Sequence, residues 1–455
     1  MLKQSIRPTK AGASRGRLWC CCLALLMTSG CASYGVIHNE PGTDVTAGKP
    51  YSLQTWAQSK EAADFVFILA FSGGGTRAAA MAYGVLEELR DTAIPVDGQQ
   101  GRLLDEVTHI SSVSGGSFTS AYYGLYGDRI FDDFKDEFLL KDVEGHLAGS
   151  LFNPFHWFSR KGRTERAVEY YNQILFHDAK FVDMMQPGRP MIVINASDLA
   201  YGVRFSFIQD YFNLLCSDVR DFPVASAVTA SSAVPVVFNP IVVENFGGCP
   251  EYEPSARVVG MAKQSDELKA MLTGLKSYND KQERNFVHFV DGGITDNMGL
   301  RAMTDVVTVS GGPGEMVNRM QRKLPSKVVI ISVNASTEKR SDMNKSAKQP
   351  SMMAAMNAMT DVQLHRYNAA TVDNVRRDLV AWSAQMTTPE HQVNPYFIEV
   401  SFEQVPDPQL QLFLNKVPTS FKLSAEQVST LIKSAKDLLR ADPEFQKLLA
   451  DLSQR

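Results

Sequence analysis

Two stretches constrain the fold of this chain more than any others: FVFILAF-SGGG-TRAAAMAYGVLEELR at 65–90, and EVTHISSV-SGG at 106–116 followed by SFTSAYYGLYG. Each passes from a continuous apolar run through glycines into a helix-forming segment. An apolar run without alternation is a strand covered on both faces, and such strands belong to parallel sheets whose crossovers place helices above and below. The segment after the first glycines has helical spacing through Ala79, Tyr83, Leu86 and Leu89.

Further apolar runs follow at 191–197 (MIVINAS), 286–290 (FVHFV), 327–335 (KVVIISVNA) and 396–402 (YFIEVSF), separated by longer helical or mixed segments. The expectation is an α/β body over 64–455: a central, mostly parallel sheet flanked by helices, with right-handed crossovers. Polar stretches at 248–285 and 336–350 read as insertions over the sheet. The Met352, Met353, Met356, Met359 and Leu364 stripe reads as core filling, and AEQVSTLIKSAKDLLR near the end as an amphipathic packing helix. With 44% hydrophobic and 21% charged residues, 455 residues suit one globular core with insertions.

The N-terminus is different. Lys3, Arg7, Lys10, Arg15 and Arg17 stand without an acidic residue, then LWCCCLALLM leads to TSGC at Cys31. This reads as a secretory signal over 1–30, too short for a comfortable membrane span. Its small-small-Cys ending resembles the bacterial lipobox, in which the cysteine becomes the acylated first residue; Thr28 stands where leucine is commonest. Cys31 is thus the expected lipidation site, with an uncleaved anchor or an ordinary cleavage after Gly30 as the plainer alternatives, and a polar, turn-rich tether follows over 31–63. Loss of the five positive charges of residues 1–30 turns the net charge of −4 into −9. So acidic a body is not drawn to anionic lipid or to nucleic acid, and acyl chains on Cys31 have to hold it at a membrane. By the resemblance to bacterial lipoproteins, Ala32 and Ser33 in place of an aspartate after the cysteine would imply sorting to the outer membrane of a two-membrane cell envelope, facing the periplasm.

Of six cysteines, Cys216 and Cys249 remain after the signal and the anchor. An oxidising compartment would allow them to pair, although two buried thiols are the simpler expectation. The eight histidines are scattered without CxxC or HExxH spacing, so neither a metal nor a cofactor is expected.

Three elements carry chemistry. In FSGGGTR at 71–77, three glycines at the mouth of a helix let several backbone N–H groups aim at one point, an anion site for a phosphate or a transient oxyanion. Thr76-Arg77 continues neither a P-loop nor a GxGxxG pattern. HISSVSGGS is close to the GxSxG elbow, with Ser112 at the first glycine position and Ser114 at the nucleophile's. FVDGGITDN at 289–297 places Asp291 at a strand's carboxyl end, the edge where α/β sheets build their sites.

In this order, with ASSAVPVVFNP at 230–240 between the second and third, these blocks resemble the patatin-like phospholipase family over about residues 64–300. The main departure is Ser112 for the usual glycine, which bears on the elbow's geometry. The resemblance implies a three-layer fold related to the α/β-hydrolases and a Ser–Asp dyad. Ser114 is then the nucleophile and Asp291 its base, with the amides of Gly73, Gly74, Gly75 and Gly115 around the oxyanion. His109 and His288 lie inside strands and read as structural. Arg77 anchors the loop or meets a lipid phosphate, the former being simpler. Pro235 and its apolar neighbours shape the wall near the elbow, or simply pack. The implied activity is hydrolysis of acyl esters of phospholipids or lysophospholipids drawn from a membrane. An acyltransferase, a thioesterase and a non-catalytic lipid-binding lipoprotein stand as alternatives.

Overall fold

The computed structural model describes residues 37, 39–42, 49–59, 65–96, 98–151, 162–235, 237–337, 347 and 349–453. The expected signal, Cys31 and most of the 336–350 stretch lie outside them. One sheet contains β1 (Phe65–Phe71), β2 (His109–Val113), β3 (Met191–Asp198), β4 (Val203–Ser206), β5 (Ile241–Glu244), β6 (Phe286–Asp291), β7 (Lys327–Asn334) and β8 (Asn394–Ser401). Its order is β8-β7-β1-β2-β3-β6-β5, with β4 paired to β3. From β8 to β3 all neighbours are parallel, whereas the pairs β3–β6, β6–β5 and β3–β4 are antiparallel.

The strand pleat sorts side chains into two layers. Phe65, Phe67, Leu69 and Phe71 of β1, with Val329, Ile331 and Val333 of β7, join the larger core. Helices α1 (Thr76–Asp91), α2 (Gly115–Tyr126), α3 (Val224–Ser231) and, further on, α6 (Ala425–Ala441) fill that face. Ile68, Ala70 and Ile330 point the other way and meet Val372, Val375 and Leu379 of the long α5 (Met352–Met386), with the short α4 (Gly293–Asp296) leading into Met298 and Leu300. Helix α1 is buried almost all round because α6 lies across it. A Cβ on Gly84 would stand 2.6 Å from the Ile432 carbonyl oxygen, and Arg440 clasps Glu88 with two hydrogen bonds at 2.8 and 2.5 Å.

Strand direction builds the site. β2 runs parallel to β3 as far as the Val113–Asn195 pair, and β6 runs antiparallel to it from Asp291–Ala196 onward. The carboxyl ends of β2 and β6 therefore meet head to head along β3, and a Cβ on Gly292 would sit 3.0 Å from Val113 Cγ1. Asp291 ends an antiparallel strand, so it reaches the site by this meeting of ends and not from the common edge of a parallel sheet.

Three expectations need correction. The polar tether does not extend through 31–63: Glu40–Pro41 pairs with Ser217–Asp218, and Tyr51, Leu53 and Trp56 are buried in the core. Tyr51 donates to the Ile192 carbonyl at 2.8 Å and accepts from the Ile192 amide at 3.0 Å. Three well-placed apolar side chains outweigh a polar average. Met359 is exposed and does not fill the core. Cys216 and Cys249 form a disulfide, with Cα atoms 5.3 Å apart.

Candidate active site

The glycine loop leaves β1 through Ser72, whose hydroxyl donates to the Gly73 carbonyl at 3.1 Å and accepts from the Ala335 amide at 2.9 Å. Gly74 (φ 142°) and Gly75 (φ 61°) then turn the chain into α1. Gly73 and Thr76 donate their amides to the carbonyls of Asn297 (2.9 Å) and Ser420 (3.0 Å). Among the described residues the amides of Gly74 and Gly75 have no protein acceptor, nor has that of Gly115 at the first position of α2. The expected oxyanion set is thereby narrowed. Gly73 is engaged elsewhere, and Gly74, Gly75 and Gly115 remain.

Ser114 is the elbow itself, a non-glycine residue at φ 50° and ψ −121° between β2 and α2. Only small residues allow this turn. A Cβ on Gly115 would fall 2.0 Å from the Gly75 carbonyl oxygen, and one on Gly116 2.7 Å from Phe71 Cβ. Ser112 fits where glycine is usual because its buried hydroxyl shares a 2.6 Å hydrogen bond with Ser120. The Ser114 amide donates to Ser231 Oγ at 2.8 Å, and that hydroxyl donates to the Asn195 carbonyl at 2.6 Å. The C-terminal end of α3 thus pins the elbow to β3.

Asp291 is held from both sides. Its amide donates to the Ala233 carbonyl at 2.9 Å and that of Gly292 to the Ser231 carbonyl at 3.0 Å. Its Oδ1 accepts from the Gly293 amide at 2.8 Å, and its Oδ2 from the Ser114 hydroxyl, also at 2.8 Å. Burial pushes the carboxyl pKa up to about 6, opposed by the hydrogen bonds from Gly293 and Ser114. A carboxylate accepting from a serine hydroxyl, with free amides close by, is an arrangement for nucleophilic acyl transfer.

The histidines stay outside this pair: His109 bonds Thr108 Oγ1 at 2.9 Å, and His288 is exposed on β6. Arg77 is buried and binds the carbonyls of Ala335 (2.8 Å) and Val417 (2.6 Å) and Thr419 Oγ1 (3.0 Å), which makes it the loop's anchor. Among the described residues no group of three or more His, Cys, Asp or Glu side chains is placed to hold a metal ion.

The model of the family described as patatin-like phospholipase matches residues 69–304, just over half of the chain. The chain belongs to the patatin-like phospholipase family. Its sheet and flanking helices are accordingly the patatin fold. Solved structures similar to it include human GIVD cytosolic phospholipase A2, at 12% identity and a TM-score of 0.41, covering 86% of this chain and 62% of that one. The same human enzyme with methyl gamma-linolenyl fluorophosphonate aligns at 13% identity and a TM-score of 0.37, covering 89% and 62%. The patatin-like chain thus spans less than two thirds of the length of those phospholipase chains. No curated protein matches it.

Two residues of the site escape a reading of the sequence. Ser231 lies among small helix residues and looks like filler, yet it braces the elbow. Asn297 accepts the Gly73 amide on its backbone, and its side-chain oxygen is 2.6 Å from where a Cβ of Gly73 would stand and 3.1 Å from that of Gly293. It wedges the glycine loop against the turn after Asp291. The only signal for it in the sequence is its place six residues after Asp291 in DGGITDN.

Proposed function

We propose that this protein is a serine lipid acyl hydrolase that cleaves fatty-acyl esters of phospholipids or lysophospholipids, with Ser114 as nucleophile and Asp291 as base. The observation that carries this reading is the 2.8 Å hydrogen bond from the Ser114 hydroxyl to Asp291, made from a turn that a serine seldom adopts. Family membership supports the chemistry.

In the first half-reaction Ser114 Oγ attacks the ester carbonyl carbon while its proton passes to Asp291 Oδ2. The tetrahedral oxyanion faces the amides of Gly74, Gly75 and Gly115 at the N-terminus of α2, where the helix dipole also favours negative charge. Collapse breaks the bond to the leaving alkoxide, which takes the proton back from Asp291 and departs as an alcohol. Water then repeats the sequence on the acyl-serine, with Asp291 as base, and releases the fatty acid. A carboxyl whose pKa is lifted to about 6 suits both directions: it ionises at neutral pH and is a stronger base than a solvated aspartate.

The same proposal makes the protein a lipoprotein of the bacterial cell envelope, acylated at Cys31. The disulfide between Cys216 and Cys249 fits an oxidising compartment. Metabolic labelling with a radioactive fatty acid tests the anchor: Cys31→Ser abolishes the label, and a label that persists refutes this part.

Release of fatty acid from defined phospholipids by the purified protein tests the activity. Ser114→Ala and Asp291→Asn each lower it by roughly 10³-fold or more. Activity that survives both substitutions refutes the dyad. A product in which the acyl group has moved to an added alcohol identifies an acyltransferase.

A further inference from the structure

From Phe222 to Val243 the chain carries no Asp, Glu, Lys, Arg or His. Most of that stretch is buried in α3 and β5, but its middle comes to the surface beside the active site. Val234 is 41% exposed and Val237 54%, with Pro235 exposed between them. The Phe238 amide closes this turn on the Val234 carbonyl at 3.0 Å, and Thr164 ties its far end through the Asn239 carbonyl at 2.8 Å. It is a fixed knob. Val234 follows Ala233, whose carbonyl receives the Asp291 amide; Ile294, 51% exposed three residues after Asp291, belongs instead to a pocket with Glu267, Arg301 and Asp305. Single exposed apolar residues are ordinary, whereas two valines and a proline together on one turn, flanked by Arg163 donating to the Val237 carbonyl at 3.4 Å, call for a partner.

The N-terminal segment says which partner. The Ile37 amide donates to the Val242 carbonyl at 2.9 Å, and Asn39 makes two side-chain hydrogen bonds with the Glu244 backbone, each 2.9 Å. The chain therefore docks along β5 within a few residues of the knob. From Cys31 to Ile37 is six residues, which reach about 20 Å at full extension. A lipid anchor at Cys31 would hold this end of the molecule against the bilayer on a short leash. The net charge is −4, or −9 once residues 1–30 are gone, so an uncharged contact is the one that anionic lipid does not oppose.

We propose that Val234, Pro235 and Val237 are the surface by which this protein sits in a phospholipid bilayer, bringing the Ser114 site toward its substrate. The proposal rests on the lipid-hydrolase reading for its purpose and on acylation of Cys31 for the short leash. The test uses the full, processed chain on phosphatidylcholine vesicles, with an environment-sensitive nitrobenzoxadiazole dye on Val237→Cys. A control dye sits on Val380→Cys, which is equally exposed on α5 at 56%. The dye at 237 brightens and shifts to the blue when vesicles are added, while that at 380 does not. Unchanged emission at 237 on vesicle-bound protein, or an equal response at both positions, overturns the proposal.

A second arm measures catalysis. Val237→Asp lowers hydrolysis of vesicle phospholipid about tenfold or more and leaves hydrolysis of a soluble short-chain ester unchanged. Equal loss on both substrates overturns the surface, as does a change in sedimentation showing that the knob joins two copies of the chain. If the parent protein cleaves neither substrate, the Ser–Asp reading fails, and the dye response still decides the surface by itself.

Discussion

At the scale of single residues, the site is organised around a serine in a conformation that costs about 1–3 kcal/mol and is kept because its neighbours over-determine it. Ser231 is the chief of them, joining the Ser114 amide to the Asn195 carbonyl. Ser231→Ala leaves the buried Ser114 amide without its acceptor, so stability falls by about 1–3 kcal/mol in urea unfolding, and kcat falls more than KM changes. Asp291, lifted to about 6 by burial, has to be ionised to accept the serine proton. A plot of kcat/KM against pH therefore rises through an acid limb near 6 and then levels; a limb near 4 would mean that the working carboxylate is solvated. Asp296 is a second buried carboxyl, lifted to about 7, with one oxygen unpartnered. A carboxyl raised in this way favours the folded state below its unfolded value, and that advantage is lost as pH rises through 7. Asp296→Asn, which mimics the protonated form, therefore has little effect at pH ~4 and raises stability by about 1–3 kcal/mol at pH ~8. Ser114 and Asp291 were legible because glycines surround them for a geometric reason. Ser231 and Asn297 were not, because their roles depend on which strands end beside them.

At the scale of elements, close backbone approach explains where glycine is required. A Cβ on Gly115 would overlap the Gly75 carbonyl oxygen at 2.0 Å, so Gly115→Ala has to push the glycine loop away from the elbow. The expected result is loss of activity by at least about 10²-fold even where the variant folds, measured on a soluble ester beside a circular-dichroism melt. Buried parallel strands could be read directly from the sequence: continuous runs such as FVFILAF and KVVIISVNA announce themselves by having no polar face. The short β4 and β5 did not, since four residues are too few for a pattern. Nor did the direction of β6 show, because a short run such as FVHFV carries no mark of the orientation in which it pairs. That direction is what brings Asp291 to Ser114.

At the scale of the whole molecule, the chain is stitched together by contacts between distant segments. Residues 39–41 and 49–59, polar on average, are part of the body through Asn39, Tyr51 and Trp56. The disulfide joins residues 33 apart in sequence, and loop-closure entropy of that length is worth about 4 kcal/mol. Cys216→Ser with Cys249→Ser lowers the unfolding free energy by about that amount, and a reductant does the same to the parent but nothing to the double variant. The proposed chemistry needs one hydroxyl, one carboxylate and three amides, from segments far apart in sequence, to act on one ester together. The measurement that tests it most directly is covalent labelling by a lipid-like fluorophosphonate, read as the mass of the modified peptide and the rate of its appearance. The expected result is a single adduct on Ser114, none in Ser114→Ala, and labelling slowed by about 10²-fold or more in Asp291→Asn. An adduct on another residue, or labelling of Ser114 at the parent rate without the Asp291 carboxylate, would contradict it.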